Sequence, residues 1–515
     1  MNLHWLDIVM LVMYMIGMLV LGWWFSKKNT NTEEYFVGGR SYAGWVIGLS
    51  LVGTSISSIT FLAYPADAFK TAWLRFLPNL MMPLGILIAT RLFLPFFRHK
   101  NITSAYEYLE DRFGPSIRVY GSITFVFGQL VRVSIILYLI SLVLHEMLGV
   151  DPVLSILIAG GFVAIYTVIG GIDAVIWTDV IQTIVLMLGG IISLIVIINL
   201  LPGGLGQIFS VAFADGKFGL SESQNGQLVP SPWGLSLQEK TVSMMLLLGL
   251  VNWLTEYSSN QNVVQRYAAS KSIKEARKAM WIGVSTSLPI WTFYMFLGTS
   301  MYVLFKVFPT VESAEVLSGV RKAEQIFPFF IMNYLPPGIT GLVIAAALAA
   351  AMSSLDSSIN AIATVSVTDF YRRYFAPNRE DRHYLKAAWS IAGAAAAFMI
   401  GGAIILSKTD SRTMQDTATI LVSLLGGGLL GMYLLGFLTR KGDARSVWFG
   451  IVFTMAFTGW TILAKNNMVP EMLQAPFDLY YTGIFGNLIM FLVGYLFGLV
   501  WKSKDRNLQN LTVWD

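Results

Sequence analysis

Apolar residues run through this chain in blocks of about twenty, each closed by a short polar or charged stretch. The blocks are long and continuous, unlike the alternating ten-residue pattern of a membrane β-strand, so they predict helices. Hydropathy places about thirteen of them, near 4–25, 43–66, 73–97, 118–148, 152–170, 175–201, 241–262, 279–307, 337–369, 386–407, 415–438, 446–464 and 481–501. Several exceed the minimum spanning length, which predicts tilt or extension beyond the bilayer. The first block is flanked by Lys27 and Lys28 after it, the wrong side for a signal peptide, and reads as a retained span.

Composition agrees with lipid as the solvent. The chain of 515 residues is 55% hydrophobic and 13% charged, with a mean hydropathy of +0.63, against roughly 25% charged in soluble proteins. Cysteine is absent, which excludes disulfides and thiolate metal sites. The net charge of +5 matters less than its placement. Arg40, then Arg98 and Lys100, then Arg266, Lys271, Lys274 and Arg277, fall in alternate loops. Arg372, Arg373, Arg379 and Arg382, then Arg440, Lys441 and Arg445, and the tail lysines continue the series. The positive-inside rule then predicts an outer N-terminus and a cytoplasmic C-terminus, in agreement with an odd span count. The longer outer loops, near 202–240 and 308–336, are too short for globular domains. No phosphate loop is present: Gly216-Lys217 lacks the upstream glycine pattern.

Two blocks carry polar interruptions. One is Gly53-Thr54-Ser55-Ile56-Ser57-Ser58-Ile59-Thr60, the other Thr255-Glu256-Tyr257-Ser258-Ser259-Asn260-Gln261-Asn262. Backbone is tolerated uncoiled at membrane depth only where it lines a cavity or meets an ion. The broken spans lie five positions apart, as expected for two five-helix units of inverted topology, spans 2–6 and 7–11. Small residues also simply let helices pack closely, which is the plain alternative. A third cluster, Met352-Ser353-Ser354-Leu355-Asp356-Ser357-Ser358, supplies hard oxygens suited to sodium. Asp356, Asp179 and Arg132 are charges at membrane depth, where each needs a partner or a function.

Taken together, these stretches resemble the sodium:solute symporter family. The likeness also rests on Glu33-Glu34-Tyr35-Phe36-Val37-Gly38-Gly39-Arg40, Ile102-Thr103-Ser104-Ala105-Tyr106-Glu107-Tyr108-Leu109-Glu110, Tyr166-Thr167 with Gly170-Gly171, Trp177-Thr178-Asp179-Val180-Ile181-Gln182 and Asn260-Gln261-Asn262-Val263-Val264-Gln265-Arg266-Tyr267. Within the family the chain looks most similar to bacterial sialic acid:sodium symporters. The resemblance implies an all-α polytopic membrane protein of the LeuT-type fold. It would have an extra helix and loop at 1–42, a first repeat at 43–201, an outer loop at 202–240, a second repeat at 241–438 and two further helices with the tail at 439–515. It implies a sodium site from the carbonyls of Gly53, Ile56 and Ala350 and the hydroxyls of Ser353 and Ser354. A further sodium site matches Asp179, Ser353, Asp356 and Ser357, with Asp356 where the sialic acid carriers have serine. Thr54, Ser57, Ser58 and Thr60 match their carboxylate-binding stretch, and Arg132 their substrate-side arginine. Asn79 stands for their glutamine, Arg75 for an aromatic residue, and Asn260 for a sugar-contacting or gating position.

The expected protein is therefore a carrier in the inner (plasma) membrane and not an enzyme. It would import a small polar solute with sodium by alternating access, a carboxylate-bearing sugar such as sialic acid being implied. A neutral sugar or polyol is the alternative substrate. A receptor on a transporter fold is the rival class, opposed by the few residues after Trp501. No His-Glu-x-x-His motif supports an intramembrane enzyme, and His4, His99, His145 and His383 fall near span ends. Sodium, solute and lipid are the expected partners, with no nucleic acid and no obligate protein partner.

Overall fold

In hydrocarbon a peptide group has no water to bond, so every segment that crosses must satisfy its own backbone, and helices do so. A computed structural model of the protein describes residues 3–27, 29–57, 59–224, 227–408, 426–478, 480–501 and 508–514. The principal helices are numbered here in chain order. The first six are α1 (Trp5–Ser26), α2 (Gly44–Ser55), α3 (Tyr64–Lys70), α4 (Met82–His99), the short α5 (Glu107–Phe113) and α6 (Pro115–Leu148). Then come α7 (Pro152–Leu200), α8 (Val242–Ser259), α9 (Gln261–Ala269), α10 (Ile273–Val307) and α11 (Ile339–Val365). The last are α12 (Asp381–Lys408), α13 (Leu429–Leu438), α14 (Ala444–Lys465) and α15 (Tyr481–Val500).

Among the described residues, nine helices are long and apolar enough to cross a bilayer, and the α2–α3 pair, bent by 64°, adds a tenth. The expectation of about thirteen spans differs for identifiable reasons. At 49 residues α7 is about 73 Å long, twice a bilayer, and contains both the fifth and sixth expected spans. It breaks at Gly171, where φ is 58° and a Cβ would sit 2.7 Å from the Tyr35 ring, so only glycine serves there. The seventh expected span is the 18-residue α8. The eleventh, 415–438, lies partly outside the described residues, with α13 as its described end.

Outward faces are apolar in the spacing that lipid requires. Along α7, Ile158, Ile165, Ile184, Leu188 and Ile195 are all exposed. The opposite is true of α11, whose residues from Val343 to Val365 are all buried. Its run of alanine and serine lets α7, α2, α6 and α1 approach closely. At its start, the Asp7 carboxylate of α1 accepts hydrogen bonds from the amides of Gly338 (2.7 Å) and Gly341 (2.8 Å), the anionic cap a helix N-terminus favours.

At the opposite end of α11, its continuation through residues 366–375 meets α5 and α6 in an ionic cluster. Asp369, fully buried, accepts from Arg118 Nε (2.9 Å), Ser104 Oγ (2.7 Å) and Ser122 Oγ (2.6 Å). Glu110 on α5 pairs with Arg373 and, at 2.8 Å, with Arg118. The hydrogen bonds from Arg373 lead in holding the Glu110 carboxyl down at about 2.

Candidate functional site

Both polar interruptions are true breaks. α2 stops at Ser55, and Ile56 is extended, with φ −94° and ψ 117°. α8 stops at Ser259, and Asn260 is extended in the same way, with φ −83° and ψ 114°. A helix end leaves its last carbonyls without amide partners. Here the Ile56 carbonyl, just past the end of α2, faces α11: the Ser353 hydroxyl donates to it at 3.4 Å and lies 3.2 Å from Ala350 O of its own helix. Gly53, Ile56, Ala350 and Ser353 line one small gap, closed by Gln182 and Thr183 of α7. Ser354 is buried beside them with its hydroxyl unbonded. Gly53 permits this closeness, because a Cβ there would stand 2.8 Å from the Asp179 side chain. The set is carbonyl and hydroxyl oxygen, suited to a hard monovalent cation. No cluster of three or more His, Cys, Asp or Glu that could hold a metal occurs among the described residues.

The residues expected to form a further sodium site divide in two. Asp179 and Ser357 both face Arg266 of α9, which donates to Asp179 Oδ2 at 2.6 Å and to Ser357 Oγ at 2.8 Å. Ser50 completes that group, donating to Asp179 Oδ2 (2.7 Å) and accepting from Arg266 Nε (2.8 Å). Asp356 instead accepts from Tyr166 OH (2.8 Å), Thr178 Oγ1 (3.2 Å) and the Ser357 amide (2.6 Å). The charge pattern along the sequence places Arg266 in a loop. The structure corrects this, since α9 continues inward past the break and buries it fully. The available signal was the unpaired acid at Asp179, which required a basic partner.

A cavity of about 420 Å³ lies between α6, α8 and α13 and reaches the α2 break at Ser57. Of the substrate residues expected from the sequence, Ser57, Arg132 and Asn260 line it. Arg132 is exposed on its wall and has no hydrogen-bond or ion-pair partner among the described residues. Asn260 donates to Glu256 Oε1 at 2.8 Å. Four others point elsewhere. Thr54 bonds back to Ser50 O (2.9 Å), and Thr60 accepts from Trp291 Nε1 (3.2 Å). Asn79 donates to Tyr64 OH (2.8 Å), and Arg75 is half exposed in an ion pair with Asp67 (3.2 Å). For Thr54 and Thr60, nearness to the break in sequence does not fix which face each occupies, and Arg75 and Asn79, placed by the resemblance alone, lie in the segment Leu74–Met81 away from the cavity. Ser58 lies outside the described residues. Glu256 and Gln129 line the cavity without having been singled out, and Gln129 Oε1 also accepts from Ser358 Oγ at 3.0 Å.

A pair of broken helices, a buried serine-bearing helix and a cavity at the break are thus together in this fold. The chain is 32% identical to the sodium/sialic acid symporter SiaT of Proteus mirabilis (strain HI4320), over 96% of its own length and 95% of the relative's. It is 29% identical to the sodium/sialic acid symporter NanT of Aliivibrio fischeri, over 97% and 94%. Its fold superimposes on the substrate-bound, outward-open structure of a Na⁺-coupled sialic acid symporter with a TM-score of 0.86, at 30% identity, covering 98% of this chain and 99% of that one. The fold is also shared, at 15% identity and a TM-score of 0.52 over 91% and 94%, with the nucleobase-cation-symport-1 transporter Mhp1. Residues 35–452 match the sodium:solute symporter family as a whole, and the chain belongs to that family.

Proposed function

We propose that this protein imports a sialic acid, or a closely similar sugar carboxylate, together with sodium. The observation that carries the reading is Arg132, a guanidinium without a partner among the described residues, facing a membrane-depth cavity at a helix break. An arginine at membrane depth is costly, about 2.5–3.5 kcal/mol on insertion scales, unless an anion meets it. A substrate carboxylate meets it with two parallel hydrogen bonds. The relatives that match over nearly the whole chain are named for sodium and sialic acid.

Sodium binds at Gly53, Ile56, Ala350, Ser353 and Ser354 in this reading and holds α2 against α11. The same carbonyl end borders Ser57 and the cavity, so the ion organises the wall that the solute contacts. The coupling is mutual, and each ligand raises the affinity of the other by one common factor. One charge crossing 100 mV supplies about 2.3 kcal/mol, enough for well over tenfold concentration. Alternating access then moves one helix group against the other around the fixed site, with 43–201 and 241–438 as the inverted repeats. Asp179 and Ser357 are held by Arg266, and Asp356 by Tyr166, Thr178 and the Ser357 amide, so in this reading the three residues lock α2, α7, α9 and α11 together beside the sodium site.

The N-terminus lies outside and the C-terminus in the cytoplasm. Loop contacts support this orientation: Arg40 donates to the carbonyls of Asn101 (3.0 Å), Ile102 (3.1 Å) and Ala268 (3.2 Å). The loops carrying Arg40 and Arg98, which the charge rule assigns to one side, therefore meet each other and the end of α9. Purified protein in proteoliposomes with an imposed sodium gradient tests the function. Labelled N-acetylneuraminate should accumulate with sodium outside and not with potassium alone. Uptake of a neutral sugar or polyol in preference would overturn the carboxylate reading.

A further inference from the structure

Arg132 on α6 and Glu256 on α8 line the same cavity, yet no ion pair joins them. Glu256 is half-buried, and its hydrogen-bond partner is the Asn260 side chain, whose amide donates to Oε1 at 2.8 Å. No cation pairs with Glu256 among the described residues. A pocket built only for an anion is weakened by a second negative charge, so this carboxylate needs its own explanation. A carboxylate accepts hydrogen bonds and donates none. Asn260 occupies part of that capacity at Oε1, and Glu256 lines the cavity with the rest.

We infer that Glu256 is a specificity-determining residue that accepts hydrogen bonds from the hydroxyl-rich end of the solute while Arg132 holds its carboxylate. The inference rests on the proposed function and names which sugar carboxylates the site selects. Neighbouring hydroxyls on one chain offer two donors to two carboxylate oxygens. That pairing rejects an analogue lacking them, because the bound analogue covers the carboxylate from water without satisfying it. The two opposite charges, kept apart on separate helices, set the polarity with which the solute lies between them.

The test uses two probes in proteoliposomes: N-acetylneuraminate, and its seven-carbon analogue made by periodate cleavage and reduction, which lacks the outer hydroxyl-bearing carbons. In the wild-type protein the short analogue should compete about tenfold more weakly. In Glu256→Gln that ratio should fall to about threefold or less, through weaker binding of the intact probe, with sodium dependence unchanged. Glutamine can keep the hydrogen bond from Asn260, so a purely structural role would leave the ratio as it was. An unchanged ratio in Glu256→Gln overturns the inference and leaves the proposed function standing. Equal competition by both probes in the wild type also overturns it, and that measurement decides should the variant fail to reach the membrane. Absence of any sodium-driven uptake in the wild type sinks the proposed function itself.

Discussion

Arg266 on α9 reaches Asp179 on α7 across the centre of the molecule, with Nη2 2.6 Å from Oδ2 and both side chains fully buried. The guanidinium also bonds Ser50 of α2, Ser357 of α11 and the Asn262 carbonyl (2.6 Å), so four helices converge on one charge pair.

Breaking that pair on one side leaves an uncompensated charge in the core. Asp179→Asn should destabilise the folded protein by about 3–5 kcal/mol. The double variant Asp179→Asn with Arg266→Gln should recover part of the loss. Thermal unfolding of the detergent-solubilised proteins reads both, and a double variant no more stable than the worse single one would count against a pairwise role.

Ser353 and Ser354 lie where α11 meets the open end of α2. Removing either hydroxyl, as Ser353→Ala or Ser354→Ala, should raise the sodium concentration for half-maximal uptake about tenfold while expression holds. Sodium activation curves superimposable on the wild type would remove these residues from the ion site.

Arg132→Ala should abolish uptake of an acidic solute without disturbing the fold, since no protein group depends on that side chain among the described residues. Arg132→Lys should restore little, because a point charge cannot reproduce the planar two-donor fork. Binding of N-acetylneuraminate by calorimetry separates this from a trafficking defect, and undiminished binding by the alanine variant would refute it.

The ionic cluster around Asp369 and Glu110 carries a pH signature. The Glu110 carboxyl is held down at about 2 by Arg373 and Arg118, below its ordinary 4.5. A depressed acid stabilises the fold above its unfolded value and loses that contribution as pH falls towards the folded one. The melting temperature should therefore fall between pH 4.5 and 2, and Glu110→Gln should flatten that part of the profile. Its solvent exposure limits the contribution to about 1 kcal/mol. An identical acid profile in the variant would assign the fall to other carboxylates.

Asp369→Asn at the same cluster should cost more, about 3 kcal/mol, because the buried Arg118 would lose its counter-charge. Melting temperature and expression level measure it, and wild-type stability in this variant would mean that Glu110 alone suffices for Arg118.

Much of this protein was legible from residue order alone. Apolar blocks of spanning length dictate helices, because lipid leaves the backbone no other partner. Clusters such as Ser57-Ser58 and Ser259-Asn260 announce where those helices stop, because polar backbone at depth must face a cavity. Rotation and reach were not legible. Whether Thr54 on the last turn of α2 or Ser57 past its end turns to the cavity depends on how packing against α7 and α11 sets the helix end. Arg266 looked like a loop charge until α9 carried it inward to Asp179, and Glu256 passed unnoticed beside Asn260 until α6 placed Arg132 on the same cavity wall. Contacts between residues far apart along the chain are products of three-dimensional packing, and a linear pattern specifies only that a buried charge must find a partner, not which one.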